Sequence, residues 1–162
     1  MQSIIVTNNP KDWIFQLSNV EVVSANQYID DPSYANQRNY RVYNLCRSYR
    51  YKSLGYYVSL LAEARGHRIF PSVSTIQDQK SQSIIRVLSD DIDHLIQKSL
   101  SKLKSKEFHL SIYFGKNVAT QYDKLSKQLY NLFQAPLLSA QFVYHKKWIL
   151  QNITLLQINE IP

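Results

Sequence analysis

Glycine is scarce in this chain: Gly55, Gly66 and Gly115 are the only three in 162 residues. Glycines so far apart cannot form a phosphate-cradling loop, and Gly115-Lys116 lacks both the upstream glycine and the following Ser or Thr of a P-loop. Nucleotide hydrolysis by this chain alone is therefore not expected, and no residue is assigned a catalytic role. Cysteine is scarcer still, with Cys46 standing alone. One thiol excludes an intrachain disulfide and a cysteine zinc cluster, and it suits a reducing compartment. No apolar run approaches the roughly 18 residues that span a bilayer. Met1-Gln-Ser-Ile-Ile-Val also lacks the basic start of a signal peptide. A cytoplasmic protein is expected. Internal repeats and low-complexity tracts are missing as well, while 44% hydrophobic and 19% charged residues are globular proportions. The length suits a single domain, residues 1–162, with a real core.

Acid is absent where it matters most. From Pro32 to Ala62 there is no Asp or Glu, while Arg38, Arg41, Arg47, Arg50 and Lys52 crowd together and six tyrosines fall between positions 40 and 57. Inside this stretch, Arg41 to Cys46 reads as a strand with Val42, Leu45 and Cys46 apolar. Leu54, Tyr57, Val58, Leu61 and Ala62 then recur at helical spacing. Ser53 is placed as the N-cap, Gly66 as the left-handed residue after the helix, and Arg65 near its negative end. A new apolar segment, His67 to Ile76, follows. Strand, helix and strand at this spacing form a βαβ unit with a right-handed crossover. Its first loop, Arg47 to Lys52, must leave the carboxyl end of a strand and enter a helix N-terminus, where open α/β sheets bind ligands and free N–H groups favour anions. Arg47, Arg50 and Lys52 supply the charge for an anion or substrate site. Ser53, Tyr49 and the off-stripe Tyr56 complete the set. The plainer alternative is a solvated basic loop.

On either side, Ser3 to Thr7 and Val20 to Val23 are expected as strands, with a short helix or turn at Asp12 to Leu17. Ala25 to Asn39 reads as a long polar loop. Thr75 to Lys80 is a connection. Ile84, Ile85, Leu88, Ile92, Leu95, Ile96 and Leu103 predict one helix over about 81–103. Phe108 to Phe114 predicts a strand with Phe108, Leu110, Ile112 and Phe114 on one face. Tyr122 to Phe133 predicts another helix. Leu137 to Ile158 predicts a β-hairpin or two consecutive strands, divided around His145-Lys146-Lys147. The fold class is α/β, a mixed β-sheet around the central βαβ unit with flanking helices and a C-terminal β-hairpin. A strand pattern running to Ile158 without a polar tail also predicts a polypeptide that continues.

Other chemistry is weaker. Cys46 and His67 share no motif spacing, so a buried structural cysteine is preferred. Asp90, Asp91, Asp93 and His94 splay around a helix and predict a solvated face rather than a metal site. His109 and His145 are expected at the surface.

The run Val42-Tyr-Asn-Leu-Cys-Arg-Ser-Tyr-Arg-Tyr-Lys-Ser-Leu-Gly-Tyr-Tyr-Val-Ser-Leu-Leu-Ala-Glu-Ala-Arg-Gly-His-Arg68, followed by Pro71-Ser-Val-Ser-Thr-Ile-Gln-Asp78, resembles the RimK-like ATP-grasp N-terminal domain family. The likeness extends through Gln134-Ala-Pro-Leu-Leu-Ser-Ala-Gln-Phe142 and Trp148 to Glu160-Ile-Pro162. The resemblance implies a noncatalytic N-terminal domain of a carboxylate–amine ligase, with the ATP-grasp domain and its ATP and magnesium downstream and no cofactor on this chain. It implies a role in peptide or amide-bond formation, with an acidic amino acid, peptide or other carboxylate as ligand. The competing class is a basic binding module for nucleic acid or another polyanion. It rests on a net charge of +7, a pI near 9.4 and tyrosine content, and no nucleic-acid motif supports it.

Overall fold

The chain is described by a computed structural model over residues 1–161, and it divides into two compact units. The first comprises Met1–Ser74 and the segment from Gln157 onward. Its elements in order are β1 (Gln2–Thr7), β2 (Val20–Ser24), α1 (Ala25–Asp30), α2 (Pro32–Ala35), β3 (Tyr40–Asn44), α3 (Leu54–Ala64) and β4 (Arg68–Phe70). The strands form a parallel sheet of order β2-β1-β3-β4. In register, Ile4 pairs with Val42, Val6 with Val23 and Val42 with Ile69, so these apolar side chains share one face. Tyr28, Tyr34, Val58 and Ala62 from the helices pack against them. Each fully buried aliphatic side chain here contributes roughly 1.5–3 kcal/mol.

Several predicted elements shift. The polar run 25–39 is not one loop but carries α1 and α2. Ser24 caps α1 by accepting from the Gln27 N–H at 3.0 Å, and Asp31 caps α2 by accepting from the Ser33 N–H at 2.9 Å. The buried residues of these short helices include tyrosines, Tyr28 and Tyr34, whose hydroxyls meet His67 and Glu21, so aliphatic periodicity does not reveal them. Asn9 caps a single 3₁₀ turn at Pro10–Asp12, after which Ile14 and Leu17 are exposed rather than helical. α3 begins after the predicted cap, with Ser53 Oγ accepting from the Tyr56 N–H at 3.2 Å. Its buried face, however, is Gly55, Val58, Ser59 and Ala62, while Tyr57, a member of the predicted helical stripe, is 39% exposed. Small residues turn inward because α3 lies close to the loop leaving β3, and small size does not register as hydrophobicity.

A short helix, α4 (Val73–Asp78), replaces the connection expected at 75–80. The second unit, Thr75–Leu156, continues with α5 (Gln82–Asp90), α6 (Asp93–Leu100), β5 (Glu107–Tyr113), α7 (Asp123–Leu132), β6 (Leu137–His145) and β7 (Lys147–Leu155). The single helix expected over 81–103 is thus two, interrupted at Asp91-Ile92. The run Ser89-Asp-Asp-Ile-Asp is poor in helix formers. The break still leaves Ile85, Ile96 and Leu100 in one core with Leu110, Ile112, Leu125, Phe133 and Phe142. The strands form an antiparallel sheet of order β5-β6-β7. Its hairpin turns at Lys146, where φ is 65°. Phe114 does not extend the buried face of β5. It takes φ 51° next to Gly115 at φ 84°, the left-handed pair of a tight turn closed by Tyr113 and Lys116. The α/β class, the βαβ unit, the flanking helices and the C-terminal hairpin are as expected. The parallel and antiparallel strands occupy two sheets.

Candidate ligand site at the strand ends

In the first unit the chain runs from β1 to β2 on one side and then crosses to place β3 on the other side of β1. Such a reversal leaves a crevice beyond the carboxyl ends of β1 and β3, the place where open α/β sheets bind ligands. The two strand ends are tied together there. The Leu45 N–H donates to the Val6 carbonyl at 2.8 Å, and the Arg47 N–H donates to Asn8 Oδ1 at 2.7 Å.

The basic loop between β3 and α3 is held by a buried polar network. Fully buried Asn44 donates through Nδ2 to the Gly55 carbonyl at 2.7 Å and to Ser59 Oγ at 2.9 Å, and its Oδ1 accepts from the Cys46 N–H at 3.1 Å. Ser59 passes the chain on by donating to the Pro71 carbonyl at 2.6 Å. Tyr49 donates to the Asn44 carbonyl at 2.6 Å, and burial pushes its phenol well above the ordinary range. Ser53 Oγ, besides capping α3, donates to the Ser48 carbonyl at 3.1 Å. A Cβ on Gly55 would lie 2.0 Å from that same carbonyl oxygen, so glycine is what allows the loop to lie on the helix start. Tyr49 and Ser53 are therefore engaged in shaping the loop. Arg50 and Lys52 are exposed. Lys52 Nζ lies 5.5 Å from the ring of Tyr51, which stands edge-on to Tyr56 with ring centres 5.3 Å apart.

Beside the loop lies a cavity of about 540 Å³. Of the predicted site residues it is lined by Arg47, and not by Tyr49, Arg50, Lys52, Ser53 or Tyr56. Leu45, Ile14, Phe15, Ile158 and Ile161 give it apolar walls, and Asp12, Gln157 and Asn159 add polar groups. Arg47 does not present a free fork. Its Nε and Nη2 donate to the two carboxylate oxygens of Asp12 at 2.9 and 2.8 Å. The hydrogen bond from Arg47 holds the Asp12 carboxyl below the usual carboxylate range. Asp12, Phe15 and the 157–161 segment went unassigned in the sequence because they come together only through the fold. The faint signal was an acid close after the first strand, which faces the basic loop once β1 and β3 pair.

Cys46 is buried, and burial pushes its thiol up to about 12, so it is no nucleophile at neutral pH. His67 does not activate it. Its Nε2 donates to the Gln37 carbonyl at 2.6 Å, which leaves Nδ1 to accept from the Tyr28 hydroxyl at 2.6 Å. His109 and His145 are exposed. Among the described residues no cluster of three His, Cys, Asp or Glu side chains could hold a metal, and no helix is long and apolar enough to cross a membrane.

Residues 25–162 match the family described as the RimK-like ATPgrasp N-terminal domain. The chain belongs to that family. No curated protein matches it. The family description makes this the N-terminal part of an ATP-grasp ligase and implies an ATP-grasp domain downstream in the parent protein. In this RimK-like N-terminal domain the basic loop and the 157–161 segment fall inside the matched region, whereas β1, Asp12, Ile14 and Phe15 precede it. The cavity is therefore walled on one side by residues that the family likeness does not cover.

Proposed function

We propose that this domain is the noncatalytic N-terminal module of an ATP-grasp carboxylate–amine ligase in peptide or amide-bond formation. In this reading it is cytoplasmic and holds a carboxylate-bearing ligand, a peptide terminus or the ligase domain at its basic loop. ATP and magnesium belong to the downstream domain. The observation that carries the proposal is the position of the loop, at the switch point of a parallel sheet, between a strand end and the N-terminus of α3, beside a cavity. Arg47, Arg50 and Lys52 supply positive charge, arginine being suited to carboxylates by its planar fork. Ser53 and Tyr49 hold the loop in shape, and Tyr56 offers a ring next to it.

Calorimetric titration of acidic amino acids, short peptides and phosphate into wild type, Arg47→Ala and Arg50→Ala tests the reading. Loss of a charge-assisted contact should weaken binding roughly tenfold to a hundredfold without lowering the melting temperature. Equal affinities in all three proteins would sink it. A polyanion-binding module is the second reading, favoured by one observation: Tyr51 is 68% exposed and stands with Tyr56 beside Lys52. Binding to random single-stranded oligonucleotides that falls steeply with salt and needs Tyr51 would move the assignment there.

A further inference from the structure

We propose that the cavity beyond the carboxyl ends of β1 and β3 takes a zwitterionic α-amino acid with a large apolar side chain, bound between Asp12 and Arg47. This narrows the ligand class of the reading above and rests on its placement of a carboxylate at Arg47.

The argument begins with the occupied fork. Asp12 and Arg47 face each other through two hydrogen bonds, with side chains 23% and 62% exposed. Solvent reaches both, so parting the pair leaves neither charge buried and uncompensated. The pair can open for a ligand. A simple anion would gain Arg47 and meet repulsion from Asp12; a simple cation would meet the reverse. A molecule carrying a carboxylate and an ammonium on adjacent positions inserts between the two and replaces one ion pair with two. The rest of the wall selects the side chain. Asp12 and Arg47 are the only charged residues lining the cavity among those described, and Phe15, Leu45, Ile158 and Ile161 offer apolar contact. A charged side chain would be desolvated there without a partner, whereas a leucine or phenylalanine side chain gains by burial. Gln157 and Asn159 leave neutral donors and acceptors at the rim. The volume, about 540 Å³, lies within the range of about 300–1,000 Å³ usual for small-ligand sites.

The test is isothermal titration of L-phenylalanine and L-leucine into the full chain. Comparison ligands are N-acetyl-L-phenylalanine without the ammonium, L-phenylalaninamide without the carboxylate, L-glutamate and inorganic phosphate. Phenylalanine and leucine should bind, and each blocked derivative should bind on the order of tenfold more weakly, the effect of losing one charge-assisted contact. Asp12→Asn should weaken phenylalanine and spare or improve the N-acetyl form. Arg47→Gln should weaken both of these and spare the amide. Because the blocked derivatives are compared on wild type, the result does not depend on either variant folding. N-acetyl-phenylalanine binding wild type as tightly as phenylalanine, or no heat with either amino acid, would overturn the proposal. Phenylalanine binding that is lost in Arg50→Ala but unchanged in Asp12→Asn and Arg47→Gln would overturn it too, while leaving the basic-loop reading intact. Affinities for every ligand unchanged in Asp12→Asn, Arg47→Gln and Arg50→Ala would defeat both.

Discussion

At the scale of single residues, Gly55 and Asn44 shape the site without contributing to its charge. Asn44 is fully buried and spends its amide on the Gly55 carbonyl, Ser59 and the Cys46 N–H, which joins the end of β3 to the start of α3. Gly55 lets the Ser48 carbonyl approach to a distance that no Cβ tolerates, and the obstructing atom is backbone, so nothing flexible can swing aside. Gly55→Ala should accordingly cost about 1–3 kcal/mol, the range for overpacking a close contact. Urea unfolding measures this directly, and an unchanged midpoint would mean that the loop yields freely. In the sequence Gly55 is merely the second residue after a predicted cap. Its role was illegible there because the partner atom belongs to a loop whose path depends on Asn44 and Tyr49.

At the scale of elements, α1 shows how a helix that lacks an aliphatic stripe is held. Arg65, the C-cap of α3, donates through Nη1 to the Tyr28 carbonyl at 2.6 Å and through Nη2 to the Ile29 carbonyl at 2.9 Å. It therefore serves the end of α1, where helix carbonyls lack intrahelical partners, rather than only the negative end of its own helix. His67 adds the second tie by accepting from the hydroxyl of Tyr28. Burial, with the nearby Arg65 charge adding to it, lowers the pKa of His67 from 6.5 despite the hydrogen bond to Gln37. The folded state thus prefers neutral imidazole and the unfolded chain binds a proton more readily. The contribution of His67 to stability is present above pH 6.5 and is lost as pH falls below 6.5 through the depressed folded value. The melting temperature should drop between pH 7 and pH 5, and it should drop less in His67→Gln, which starts lower. Parallel slopes for the two proteins in calorimetric melts would contradict this. The polar Asn26, Gln27 and Asp30 around Tyr28 hid α1 from a reading by periodicity, since tyrosine counts as apolar only when its hydroxyl has a buried partner.

At the scale of the whole molecule, the sequence carries three glycines, too far apart for a phosphate-cradling loop, and its family membership implies an ATP-grasp domain downstream in the parent protein. The purified chain with ATP and magnesium should neither release phosphate nor join amino acids; turnover above a buffer control that survives extensive purification would refute this. Much of this molecule was determined by local patterns that are visible in the sequence. The strand formers of β1, β3 and β5, the Ser53 cap, Gly66 at φ 76° and the hairpin turn at Lys146 all follow from nearest-neighbour chemistry, as does the acid-free basic loop after β3. The family likeness was legible for the same reason, since it lies in that continuous run. Other features were decided by tertiary structure alone. Strand order, and with it the switch point, arises from pairing between segments far apart in the chain. The pairing of Asp12 with Arg47 spans 35 positions, and the cavity beside it draws on residues 12–15, 45–47 and 157–161. Local propensity acts over a few residues, whereas a binding site is made wherever the sheet brings strand ends together, so the charge of the loop could be read in advance but the carboxylate that answers it could not.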